Sequence, residues 1–125
     1  MTYSITVEKG YVRAELTGRE TAEETKEFLR TVARYGSTHS AFLLDIRASR
    51  PMFQLEHHGL IDDIKQIARE PGHRIALVAD TRDLQVSHEY FELVARQRHV
   101  NLRSFRSVAE ALTWLREPAL PPAAV

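Results

Sequence analysis

The spacing of apolar residues changes period several times along this chain, and each change marks an element. "YSITV" (residues 3–7) alternates apolar with polar positions, and after "EKG" the alternation resumes in "YVRAELT" (11–17). Period two belongs to a half-exposed strand, and two such runs across a short glycine-containing turn predict a hairpin. In "TAEETKEFLRTVARYG" (21–36) the period lengthens. Phe28, Leu29, Val32 and Ala33 fall on one stripe, with Thr21 and Glu24 in capping-box spacing ahead of it and Gly36 at its end. That pattern predicts a helix.

"AFLLDI" (41–46) and "RIALVAD" (74–80) are nearly continuous apolar runs, suited to central parallel strands buried on both faces. Between them Leu60, Ile61, Ile64 and Ile67 recur at helical spacing until "EPGH" stops the helix. "SHEYFELVARQR" (87–98) reads as a third helix with Ser87 as its N-cap. "LRSF" (102–105) is a short, polar strand fit for a sheet edge. "SVAEALTWL" (107–115) is the last helix, with Ser107 and Glu110 as a second capping box and Val108, Ala111, Leu112 and Leu115 as its buried stripe. Trp114, Phe91 and Tyr90 sit on similar core-like stripes and read as packing residues.

The order is ββαβαβαβα, an α/β pattern. It predicts one domain over residues 1–116, followed by a Pro/Ala-rich tail at 117–125. The sheet is five-stranded and mostly parallel, in order 1-2-3-4-5, with the antiparallel first strand at the edge. Crossovers that step the same way put their helices on one face. Yet Phe42, Leu43, Leu44 and Ile46 are apolar on both faces of their strand. The second face therefore needs a cover: a partner subunit, another segment or a ligand. The loop "PMFQL" (51–55) is one candidate.

Composition narrows the function. The chain has 125 residues, 43% hydrophobic and 27% charged, as expected of a soluble globular domain with a real core. Seventeen basic residues balance seventeen acidic ones, so no global field recruits nucleic acid. "IALVA" is the longest apolar run, too short for membrane insertion. Cysteine is absent, which rules out disulfides, thiolate metal sites and a cysteine nucleophile, and suits a reducing cytoplasm. "MTYSITVEK" lacks the basic head and apolar stretch of a signal peptide.

With "YVRAELTG", "AFLLDIRAS", "GHRIALVAD" and "SFRSVAEALTWL" in this order, the chain resembles the SpoIIAA-like group, from about residue 3 to 116. That group includes the STAS domains, which act as anti-sigma-factor antagonists and as cytoplasmic parts of sulfate transporters. The closest likeness is to small stand-alone bacterial members, many without known function. The resemblance implies a bacterial, cytoplasmic regulatory protein with a protein partner. STAS antagonists are switched by phosphorylation of a serine in an Asp-Ser-Ser-Gly-Leu-like motif. Here the matching stretch is "EHHGL" (56–60): Gly59 and Leu60 match, but His57 and His58 stand in place of the serines. The serine switch is therefore not carried over. The same fold occurs in the lipid-carrying domain of Sec14-type transfer proteins, which makes a small apolar ligand under residues 51–55 the alternative.

In open α/β sheets ligands gather at the carboxyl ends of strands. Those ends read "GRE", "DIRASR", "DTRD" and "FRS", bringing Arg19, Arg47, Arg50, Arg82 and Arg106 to one edge near helix N-termini. That is either an anion site or loop charge neutralised by Glu20, Asp45, Asp80 and Asp83. His57, His58 and His88 fall at the same edge, but adjacent histidines on a helix diverge by about 100° and no HExxH spacing exists, so no metal is expected. Asp62 and Asp63 suit the positive end of a helix dipole. No catalytic constellation and no phosphate-binding glycine loop are present, so neither enzyme activity nor a cofactor is expected. Met52, Phe53 and Leu55 in a connecting loop need covering, by the chain's own core, a homodimer contact or a ligand. The partner or ligand surface is thus expected at Arg47, Arg50, Met52, Phe53, Leu55, His57, His58, Arg82 and His88.

Overall fold

The computed structural model describes residues 2–18, 22–49, 60–70, 72–78 and 92–117. Strands β1 (Thr2–Glu8) and β2 (Tyr11–Gly18) form the predicted hairpin. Lys9 and Gly10 make its turn, and Gly10 takes the positive φ of 87° that a residue without Cβ adopts freely. Next come α1 (Ala22–Ala33), a 3₁₀ turn (Arg34–Ser37), β3 (Ala41–Ser49), α2 (Leu60–Ile67) and β4 (Arg74–Val78). A helical stretch, α3, spans residues 92–97, and β5 (Leu102–Phe105) and α4 (Val108–Arg116) complete the chain. The N-cap candidates Thr21 and Ser87 lie outside the described residues.

The sheet has the order β1-β2-β3-β4-β5. β1 is antiparallel to β2, from Thr2↔Thr17 to Glu8↔Tyr11, and β2 to β5 are parallel. Side chains alternate across it as period two demands. Val12, Ala14, Leu16, Phe42, Leu44, Ile46, Ile75, Leu77 and Leu102 point to one face. There they join Phe28, Leu29 and Val32 of α1, Ile64 and Ile67 of α2, and Ala95 of α3 in one core. The three helices that link parallel strands thus share a face, as the one-directional strand order requires.

The second face is covered by α4. Tyr11, Ala41, Leu43, Ala76 and Val78 of the sheet pack against Ala111, Trp114 and Leu115. Of the expected covers, a partner subunit, another segment or a ligand, the described residues supply another segment, and it is α4; the loop 51–55 lies outside the described residues. The reason is connectivity. A helix between two parallel strands is bound by crossover handedness, but α4 joins no two strands of this sheet. It is free to take the opposite face, where the apolar pattern of β3 and β4 rewards it. Ser107 caps α4 as predicted, accepting from the Glu110 N–H at 3.2 Å. At the other end the Arg74 guanidinium donates to the Trp114 and Glu117 carbonyls, both at 2.8 Å, satisfying groups that a helix C-terminus leaves open.

Two helix ends use histidine. The His73 Nδ1–H donates to the Ile67 carbonyl at 2.9 Å and so closes α2, with its ring 5.9 Å from that of Phe42. α3 ends in a Schellman arrangement, Val100 N–H to Ala95 C=O at 2.9 Å and His99 N–H to Arg96 C=O at 3.1 Å. His99 there carries the left-handed φ of 62° that glycine would adopt with less strain.

Candidate functional site

Strands β2 to β5 run the same way, so Gly18, Ser49, Val78 and Phe105 lie toward one edge of the sheet. α2 and α4 start from that edge. Within it β3 is unusual. Its pairing with β4 extends to Asp45↔Val78, while its last residues, Ala48 and Ser49, pair with Thr17 and Gly18 of β2. The register shifts between Glu15↔Asp45 and Thr17↔Ala48, so Ile46 and Arg47 together oppose Leu16. One extra residue locally bends a strand, a device often found beside binding sites. Arg47 occupies this irregularity, and it is the one expected site residue whose backbone is described. Arg50, Met52, Phe53, Leu55, His57, His58, Arg82 and His88 lie outside the described residues, as do Arg19, Glu20, Asp80 and Asp83.

The first turn of α2 does more than complement a dipole. Asp63 pairs with Arg30 of α1 at 3.6 Å, and Asp62 with Arg98, just after α3, at 3.8 Å. Both pairs reach solvent, so each contributes at most about 1 kcal/mol. Their effect is positional: they tie the start of α2 to its two neighbouring helices. Lys65 and Gln66 remain exposed on the outer surface of α2.

The second face also holds a polar cluster that hydropathy does not reveal. Asp45 is only 4% exposed, although the edge-charge reading made it a solvated neutraliser of loop arginines. It lies within the sheet, opposite Glu15, and accepts from Arg13 Nη2 at 3.2 Å. The same nitrogen reaches Glu15 Oε1 at 2.9 Å. A buried carboxylate without a cation is costly, and the arginine one strand away offsets part of that cost. The sequence signal was the alternation itself: Arg13, Glu15 and Asp45 occupy the same parity as Tyr11, Ala41 and Leu43.

Among the described residues no three histidine or acidic side chains gather as metal ligands. His39 pairs through Nδ1 with the Thr38 hydroxyl at 2.8 Å. No described helix is long and apolar enough to cross a membrane.

This arrangement, a β1-antiparallel five-stranded sheet with three helices on one face and the terminal helix on the other, is the SpoIIAA-like fold. The structure is similar to that of an anti-sigma factor antagonist from Mycobacterium paratuberculosis, with a TM-score of 0.65 at 14% identity over 93% of this chain and 94% of that one. It is equally similar to the anti-sigma factor antagonist SpoIIAA in its unphosphorylated form, with a TM-score of 0.65 at 11% identity over 92% of this chain and 96% of that one. No family model matches the chain, and no curated protein matches it in sequence.

Proposed function

We propose that this protein is a non-catalytic regulatory module of the bacterial cytoplasm that binds a protein partner at the carboxyl edge of β3 and β4 and the start of α2. The observation that carries this reading is the end-to-end likeness to two anti-sigma factor antagonists, which leaves little of the chain for any other unit. The contact surface is Arg47, Arg50, Met52, Phe53, Leu55, His57, His58, Arg82 and His88, leading into the exposed side of α2. With His57 and His58 in place of the serines, binding at this surface is independent of serine phosphorylation at that position. The alternative is a carrier or sensor of a small lipophilic ligand bound under residues 51–55; the likeness to two anti-sigma factor antagonists supports the protein-binding reading first.

Affinity capture tests it. A protein held by the wild type should be lost from Arg47→Glu, Phe53→Asp and His57→Glu, each with an unchanged far-ultraviolet dichroism spectrum. Retention by all three folded variants would overturn the assignment. A retained small molecule in native mass spectrometry, released by Phe53→Asp, would replace it with the carrier.

A further inference from the structure

The two edges of the sheet are treated differently. β5 has four residues, carries the exposed Arg103, and has its Ser104 N–H covered by Glu92 Oε2 at 3.0 Å. Glu92 is in turn held by Arg96 at 2.8 Å. Shortness, charge and a cover are the means by which edges are kept from pairing. Among the described residues β1 has no such cover, and its only charge is Glu8 at its last position. It runs for seven residues, pairs with β2 without a bulge, and carries no charge or proline from Thr2 to Val7. Val7 is 52% exposed. The turn closes on the pair Glu8↔Tyr11, and hydrogen-bonded pairs alternate from there. Tyr3, Ile5 and Val7 therefore direct their N–H and C=O groups away from β2.

Beside this edge runs a groove lined by Tyr3, by one stripe of α1 with Glu23, Glu24, Glu27, Arg30 and Thr31, and by Arg34 of the 3₁₀ turn that continues it. The stripe is acidic in its first half and basic in its second. Among the described residues Glu23, Glu27 and Arg34 take part in no ion pair. Such a stripe complements itself when it meets a second copy running the opposite way.

We propose that β1 pairs antiparallel with β1 of a second copy about a two-fold axis at Ser4, making one sheet continuous through both. Tyr3 then exchanges both backbone hydrogen bonds with Ile5 of the second copy, and Ile5 with Tyr3, an aromatic–aliphatic pair on the helix-bearing face. The axis also sets the helices. α1 and β1 both run opposite to β2, and Tyr3 stacks edge-on against Phe28 with centroids 5.4 Å apart. One strand residue advances about 3.4 Å and one helical residue about 1.5 Å, so Ser4 lies abreast of residues 30 and 31. Two-fold symmetry about that level sets Glu27 against Arg34 of the second copy, and Arg30 against Thr31. With strands about 4.8 Å apart, the two α1 axes lie roughly 10–15 Å apart, within reach of a glutamate and an arginine. This surface is separate from the carboxyl-edge site and does not depend on it.

Sedimentation velocity over a range of concentrations tests the proposal with the full chain. The wild type should dimerise reversibly, and its Tyr3 and Ile5 amides should gain hydrogen-exchange protection as concentration rises. Glu27→Arg and Arg34→Glu, both at exposed positions, should each be monomeric, because both symmetry-related contacts between positions 27 and 34 become like-charge ones. Mixed in equal amounts, they should form a heterodimer. A wild type that stays monomeric at its highest soluble concentration overturns the proposal and leaves the edge to a strand from another protein. A dimer that persists in both variants, without protection of Tyr3 and Ile5, also overturns it by placing the contact elsewhere.

Discussion

The two faces of the sheet are built on different rules. On the face shared by α1, α2 and α3 every inward position from β2 to β4 is apolar, from Val12 to Leu77. On the other face the pattern divides. Tyr11, Ala41, Leu43, Ala76 and Val78 lie under α4, whereas Arg13, Glu15 and Asp45 form a charged cluster beyond it. The first face is dictated by chain connectivity, which leaves its helices no alternative. The second is covered by one short helix at the end of the chain. What α4 does not reach is held by an ion pair. A face can thus be completed either by burying apolar area or by pairing charges across neighbouring strands, and here both are used on one surface.

Adjacent leucines in β3 provide the sharpest test of this comparison. Leu43 and Leu44 are both fully buried, on opposite faces. Leu43→Ala and Leu44→Ala should each cost about 2–5 kcal/mol in urea unfolding, since each removes a buried isobutyl group and leaves a cavity. A loss near zero for Leu43→Ala alone would mean that α4 is not a true core element. The charged half should respond less. Arg13→Ala, which leaves Asp45 without this cation, is expected to cost about 1–3 kcal/mol. The same change in an Asp45→Ala background should cost clearly less, and equal costs would show that the pair is not coupled. Smallest is the cap of the covering helix. Ser107→Ala should lower stability by about 1 kcal/mol with an unchanged denaturant slope.

Much of the architecture could be read from periodicity. β5 coincides with "LRSF", α2 begins at Leu60, and the strand order agrees with which runs are apolar on both faces. Less could be read of the site. Hydropathy shows that Asp45 is charged but not that it is buried, because its partner Arg13 is 32 residues away in sequence and meets it only through strand pairing. The irregularity at Ile46 and Arg47 is equally silent, since an extra residue in a strand leaves no mark in composition. The end of α3 was legible, read at Arg98 and found at residue 97, but the left-handed turn at His99 that makes it was not, since no glycine announces it.

By itself the sequence determined the elements, the order of strands and the shared face of the three crossover helices. Those result from local period and from the limited ways in which a chain can cross from one parallel strand to the next. Only the tertiary structure decided the side on which α4 lies, and with it what covers Leu43 and Trp114. A terminal helix carries an apolar stripe that fits either face. The choice rests on which surface the rest of the chain has left open.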